Sequence, residues 1–161
     1  MTENETAGNE IAGVIAPPPL IFLAGLAVGL VADAVFGLPS LPAPPGVRIA
    51  AAIVLGGVGA ASIAAALGRF GQAKTPPQPW KPTTALATGG VYRLTRNPMY
   101  LGMALLLAAL AIGFASWGTL AAFPFVIAFA DRFVIQREER YLHKRFGSAY
   151  DAYRAEVRRW L

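Results

Sequence analysis

Two polar clusters in this sequence carry the residue types that binding and catalysis need. One is the run Tyr92-Arg93-Leu94-Thr95-Arg96-Asn97-Pro98-Met99-Tyr100-Leu101-Gly102, and the other is the pair Glu138-Glu139. Pro98 suits the first turn of a helix, because its φ is preset and its missing N–H is not needed there. The spare backbone donors of such a helix start can hold an anionic group such as a carboxylate. Glu138 can hold an ammonium. Brought together, the two clusters suit an amino acid-like moiety. The same residues also have a plainer reading. Arg and Tyr at the end of a membrane span anchor it at the interface, and two glutamates can pair with arginines on a solvated helix.

The elements that must position these clusters are apolar helices. Of 161 residues, 55% are hydrophobic and only 14% charged, with a mean hydropathy of +0.49. A soluble domain carries roughly 25% charged residues, so the composition asks for a bilayer. Four apolar runs are expected to span it: about 18–38, 47–67, 99–114 and 120–135. A helix needs about 20 apolar residues to cross a hydrocarbon core of about 30 Å. The fold class is therefore an all-α membrane protein of about four transmembrane helices, followed by a cytoplasmic amphipathic helix. The last two runs, joined by the turn Ser116-Trp117-Gly118-Thr119, form a helical hairpin that brings Arg96–Tyr100 and Glu138 to neighbouring helix ends.

The connections divide the chain into an acidic disordered tail (1–16), two anchoring helices (17–68) and a functional unit (69–161). The tail has no Lys or Arg, so it lacks the positive start of a signal peptide. Arg69, Lys74, Lys81, Arg93 and Arg96 lie in the long segment 69–98, and more basic residues follow the fourth run. The positive-inside rule puts both regions, and with four spans the N-terminus too, on the cytoplasmic side of the cell (inner) membrane. The net charge of +5 thus reflects topology, and no nucleic-acid partner is expected. With no cysteine and a single histidine, His143, neither a disulfide nor a metal site is expected.

Gly25 and Gly29 form a GxxxG in the first run. Gly56, Gly57, Gly59, Ala60, Ala61 and Ser62 make a small-residue face in the second. Such faces allow close helix approach, and here suit packing of the two runs on each other or on a second copy of the chain. Asp33 is the lone charge of the first run, placed late, where it suits the far interface or a bond to a neighbouring helix. Beyond the fourth run, Leu142, Phe146, Tyr150, Tyr153 and Val157 recur at helical spacing. Gly147 fits a helix stop, and Ser148 with Asp151 resembles a capping box that restarts the helix. The segment should lie on the interface or fold back over the long loop.

The ordered set LATGGVYRLTRNPMYLG, then a short hairpin, then EERYLHKRFGSAYDAYRAEV resembles the isoprenylcysteine carboxyl methyltransferase and phospholipid methyltransferase superfamily of integral membrane enzymes. The resemblance covers roughly residues 69–160. It implies methyl transfer from S-adenosylmethionine. It further implies that Thr84, Ala85, Leu86 and Ala87 line the cofactor pocket and that Tyr92 contacts the cofactor. Arg96, Asn97, Pro98, Met99 and Tyr100 correspond to the Arg-His-Pro-x-Tyr core that holds it. Glu138 corresponds to the glutamate that binds its ammonium, with Glu139 beside it. The motif's histidine is Asn97 here, which can hydrogen-bond but not titrate. An arginine that steers the substrate carboxylate in the carboxyl methyltransferases is Val134 here.

Methyl transfer from a sulfonium needs alignment more than acid–base chemistry, so no catalytic base is assigned. An acceptor entering from the bilayer would be lipid-like or a small hydrophobic molecule. Three other readings compete: a membrane reductase using NADPH, a non-catalytic scaffold, and, last, a transporter.

Overall fold

The structure is a computed structural model that describes residues 13–78 and 80–161. Most of the acidic tail expected over 1–16 lies outside them. Among the described residues the elements are helical throughout: α1 (Pro18–Phe36), α2 (Pro45–Gln72), a 3₁₀ turn (Gly90–Arg93), α3 (Pro98–Gly113) and α4 (Trp117–Ala130). A π turn (Asp131–Ile135), α5 (Gln136–Phe146) and α6 (Ser148–Glu156) follow. The all-α membrane architecture expected from composition is the one observed. Three helices are long and apolar enough to cross a membrane, and the fourth apolar one, α3, is shorter.

Local sequence sets the helix ends. Helices α1, α2 and α3 all open on a proline in the first turn, where no amide donor is lost. Ser116 caps α4, its hydroxyl accepting from the Thr119 amide at 2.9 Å. The turn therefore lies just before Ser116, with Ala115 at φ 57°. Trp117, Gly118 and Thr119, expected in the turn, already belong to the helix. The apolar stretch of α4 runs through the π turn to Ile135. Helix α5 (QREERYLHKRF) is polar and lies beyond the crossing segment. Helix α2 reaches Gln72, further than the Leu67 end expected. Its 28 residues rise about 42 Å, so its last turns stand clear of a core about 30 Å thick and leave a shorter loop after it.

The helices pair differently from the sequence expectation. The small-residue faces of α1 and α2 do not pack on each other: α1 packs on α4 and α2 on α3. A Cβ on Gly59 would sit 2.7 Å from the Gly102 carbonyl oxygen, and one on Gly102 would sit 2.6 Å from that of Gly59. Neither position accepts a side chain unless the helices separate. Gly25 and Gly29 press in the same way on Val126 and Thr119 of α4. A dry interior needs such contacts, since lipid supplies no hydrophobic drive for helices to associate.

At the end of the bundle away from Arg96, Asp33 Oδ1 accepts the Gly118 amide of α4 at 2.7 Å. The lone charge of the first span thus bonds a neighbouring helix, one of the two structural roles expected for it. Beyond the fourth span, Gly147 (φ 52°, ψ −127°) breaks the helix as expected. The capping box does not form: Ser148 is already helical and gives no cap, while Asp151 meets His143 at 2.8 Å. Helix α6 folds back over the loop, burying Tyr150, Tyr153 and Val157 with Tyr92 and Ala66.

Candidate active site

The segment between α2 and α3 has almost no regular structure, so its shape comes from side-chain hydrogen bonds. The Thr84 amide donates to Thr75 Oγ1 (2.9 Å) and its hydroxyl to the Lys74 carbonyl (3.1 Å). The Thr83 amide donates to the Tyr141 hydroxyl of α5 at 2.9 Å. The 3₁₀ turn presents Tyr92, whose carbonyl accepts the Tyr153 hydroxyl at 2.7 Å. Just before α3, the chain meets its own C-terminus. The Arg96 amide donates to the Arg158 carbonyl (2.9 Å), and the Thr95 hydroxyl (2.9 Å) and Asn97 Nδ2 (3.1 Å) both donate to the Arg159 carbonyl.

These contacts enclose a cavity of about 420 Å³, within the range of small-molecule sites. All five tyrosines of the chain line it: Tyr92, Tyr100, Tyr141, Tyr150 and Tyr153. Four hydroxyls have named partners. Tyr100 is within hydrogen-bonding reach of Glu138, Tyr150 accepts from Arg96 at 3.4 Å, and Tyr141 and Tyr153 are bonded as above. Burial pushes the Tyr92, Tyr150 and Tyr153 hydroxyls above their ordinary pKa, so they stay neutral and present electron-rich rings. Such rings attract cations.

Two adjacent glutamates have opposite fates here. Glu139 is buried and held by two guanidinium groups: Arg96 at 3.0 Å, and Arg159 through Nε at 3.1 Å and Nη2 at 2.6 Å. Glu138 faces the cavity with only Tyr100 in reach. Burial, opposed by the Tyr100 hydrogen bond and reinforced by the charge of Glu139, pushes its carboxyl up to about 7. A carboxylate in that condition gains from any cation that enters. Arg96 is nine-tenths buried, and its Nε has no partner.

Of the residues singled out by sequence, Ala85, Leu86, Ala87, Tyr92, Arg96, Asn97, Met99, Tyr100, Glu138 and Glu139 line the cavity. Thr84 does not; it is exposed and spends its hydroxyl on the loop. Pro98 is buried and opens α3 without facing the cavity. The hairpin does bring Arg96–Tyr100 beside Glu138. Sequence reading missed the walls given by Pro18 and Pro19 of α1 and by Ile63 of α2, having taken residues 17–68 as anchors, while Phe70, expected in the long loop, belongs to α2 and also lines the cavity. The Tyr150 and Tyr153 stripe was visible as an apolar face, and its aromatic content was the available signal. Val134 is fully buried, while Arg132 bonds Gln136 and Arg137 bonds the Gly13 carbonyl. No arginine takes the place that Val134 fills.

The profile of a methyltransferase family, described as phospholipid methyltransferase, matches residues 47–149, well over half of the chain. The chain belongs to the phospholipid methyltransferase family. An uncharacterized protein of Haemophilus influenzae is 39% identical over 66 residues, covering 39% of this chain and 100% of the relative. No solved structure matches. The family match starts in α2 and ends in α6, so the part matched by the phospholipid methyltransferase profile takes in the second span. Helix α1 and residues 150–161, which include Tyr150 and Tyr153, fall outside the match.

Proposed function

We propose that this chain transfers a methyl group from S-adenosylmethionine to a lipid-like or small hydrophobic acceptor at the cytoplasmic face of the membrane. The observation that carries this reading is Glu138, a carboxylate bonded to Tyr100 but to no cation among the described residues, in a cavity lined by five tyrosines. S-adenosylmethionine is cationic at its sulfonium and its ammonium, and anionic at its carboxylate. The donor set fits it. Glu138 is the partner for the ammonium. Arg96 Nε, buried and unpartnered, together with the free amides that open α3, is the partner for the carboxylate. The tyrosine rings suit the sulfonium and a flat base.

When bound, the cofactor supplies an electrophilic methyl group; the chain supplies placement and a dry wall. Ile63, Met103 and Leu106 form the apolar side of the cavity. Helices α1 and α2, which contribute to its walls, pack on other partners rather than on each other, which leaves room for an acceptor to enter from the bilayer between them. Holding both reactants in line removes much of the entropic barrier to displacement. Water exclusion helps when charge is neutralised. Arg96, the one cation of the lining among the described residues, is paired with Glu139, and the Val134 position carries no charge. The cavity therefore suits a neutral or cationic acceptor group better than a carboxylate.

The test is binding and turnover with detergent-solubilised protein. Calorimetry should show S-adenosylmethionine binding and no NADPH binding, and labelled methyl should appear in a product from a panel of lipids, amines and thiols. NADPH binding without S-adenosylmethionine binding would replace this reading with the reductase one. Binding of neither would leave a scaffold.

A further inference from the structure

The last five residues form a strap that touches the site without lining it. The backbone carbonyls of Arg158 and Arg159 take hydrogen bonds from three consecutive residues, Thr95, Arg96 and Asn97. Asn97, which stands where the related motif has histidine, spends its side-chain donor on this strap. The Arg159 side chain reaches the other way. Its guanidinium holds both oxygens of Glu139 (3.1 and 2.6 Å) and both of Asp131 (3.4 and 3.3 Å). Trp160 packs on the core around Tyr100 and Val134. Arg159 thus joins the start of α3, the π turn and α5, the three elements that meet at Glu138.

The charges explain why this matters. Glu138 and Glu139 are adjacent carboxylates, and like charges so close disfavour one another. Arg96 alone could neutralise one of them. With Arg159 added, Glu139 is held by two cations, a two-pronged contact that Arg makes well and Lys does not. Glu138 is left to meet a ligand. We propose that Arg159 is a positioning residue of the methyl-transfer site: by occupying Glu139 and tying it to the α3 start, it keeps Glu138 as the carboxylate open to an incoming cation. The proposal rests on the function proposed above for its cofactor arm only.

The groups that face Glu138 are Tyr92 from the 3₁₀ turn, Tyr100 from α3 and Glu139 from α5. Behind Glu139 stand Arg96, Arg159 and, through Arg159, Asp131. Removing Arg159 exposes Glu138 to more of the negative charge of Glu139 and raises the pH at which Glu138 ionises.

The test follows Glu138 directly. Its protonated carboxyl stretch, identified by its loss in Glu138→Gln, is titrated by infrared difference spectroscopy in ligand-free protein. Binding of S-adenosylmethionine is measured by calorimetry across pH in the same variants. Arg159→Ala is expected to raise the Glu138 midpoint by about one pH unit and to weaken cofactor binding at pH 7 by about fivefold, as the ionised fraction falls. Arg159→Lys, keeping the charge, should hold the midpoint near the wild-type value. Adding Glu139→Gln to Arg159→Ala should bring the midpoint back down, a reversal that mere loss of structure would not give. Arg159→Gln replaces the alanine variant if that one does not fold. An unchanged midpoint in the neutral variants, or no reversal in the double variant, overturns the proposal. If the wild type binds no S-adenosylmethionine, the proposed function falls, while the infrared titration still decides the role of Arg159.

Discussion

The two ends of the helix bundle use the same materials to opposite effect. At one end, Asp33 accepts the Gly118 amide, Ser116 caps α4, and the Ser116 and Thr119 hydroxyls meet at 2.6 Å. The polar side chains at that turn have partners, and Ser116 and Thr119 are fully buried. At the other end, Glu138 meets the Tyr100 hydroxyl but no cation among the described residues, Arg96 Nε has no partner, and both line an open cavity. A carboxylate beside a helix start bonds a backbone amide at the first end and faces a cavity at the second. The residue type does not decide this; the neighbours do, a packed helix for Asp33 and a cavity wall for Glu138. Burying a polar group without a partner is costly, and that cost is recovered when a complementary ligand arrives.

Exchanging charge for its neutral isostere at each end tests the contrast most strongly. Glu138→Gln should weaken S-adenosylmethionine binding by roughly 10- to 100-fold, the scale of a hydrogen bond to a charged group, while the ligand-free protein melts no lower. Calorimetry and a thermal melt give both numbers. Equal binding in wild type and variant would remove Glu138 from the site.

The pH dependence of binding is the next largest effect. Glu138 must be ionised to hold an ammonium, and its carboxyl titrates at about 7. Affinity should be level above that pH and fall about tenfold for each unit below it. For stability the sign is opposite. The folded state binds the proton more tightly than the unfolded chain, so this one group costs stability as pH rises from its ordinary value through 7, and the cost is constant above. Ligand-free protein should therefore gain stability on mild acidification while losing affinity. Parallel movement of the two would contradict this account of Glu138.

Much of this was legible in the sequence. The four apolar runs, the helix start at Pro98 and the pairing of Arg96–Tyr100 with Glu138 follow from hydropathy, spacing and hairpin geometry. The division between Glu138 and Glu139 was not legible. Adjacent identical residues have the same local signal, and what separates them is the pair of arginines on Glu139, Arg96 and Arg159, the second twenty residues away. The π turn at Asp131–Ile135 was equally hidden. One extra residue in a turn rotates everything after it by about 100°, which changes the face that α5 offers to the cavity, and no residue type announces it. The helix partners were misread for a related reason: small residues show that a face packs closely but not against which neighbour.

At the closed end, Asp33→Asn tests the other half of the contrast. The amide still accepts the Gly118 hydrogen bond but without charge, so about 1 to 2 kcal/mol of stability should be lost. Cofactor affinity should not move, because the change lies at the opposite end of the bundle. A loss of affinity with retained stability would mean that the two ends are coupled and the distinction between them is false.

The smallest effect separates polarity from burial. His143 and Asp151 also form a carboxylate contact on the cavity side of the bundle, at 2.8 Å, but the two side chains are 57% and 49% exposed. Water already solvates both, so the pair gains little from being made. It does bridge α5 and α6 across Gly147, whose φ of 52° and ψ of −127° set the direction of the break without help from the pair. Asp151→Asn should therefore leave the melting temperature and the cofactor affinity within error of wild type. The buried Glu139 cluster, by contrast, should respond to every change of charge. If Asp151→Asn instead weakened binding, the break at Gly147 would need the ion pair to hold Tyr150 and Tyr153 over the cavity, and charge at the surface would count for as much as charge inside.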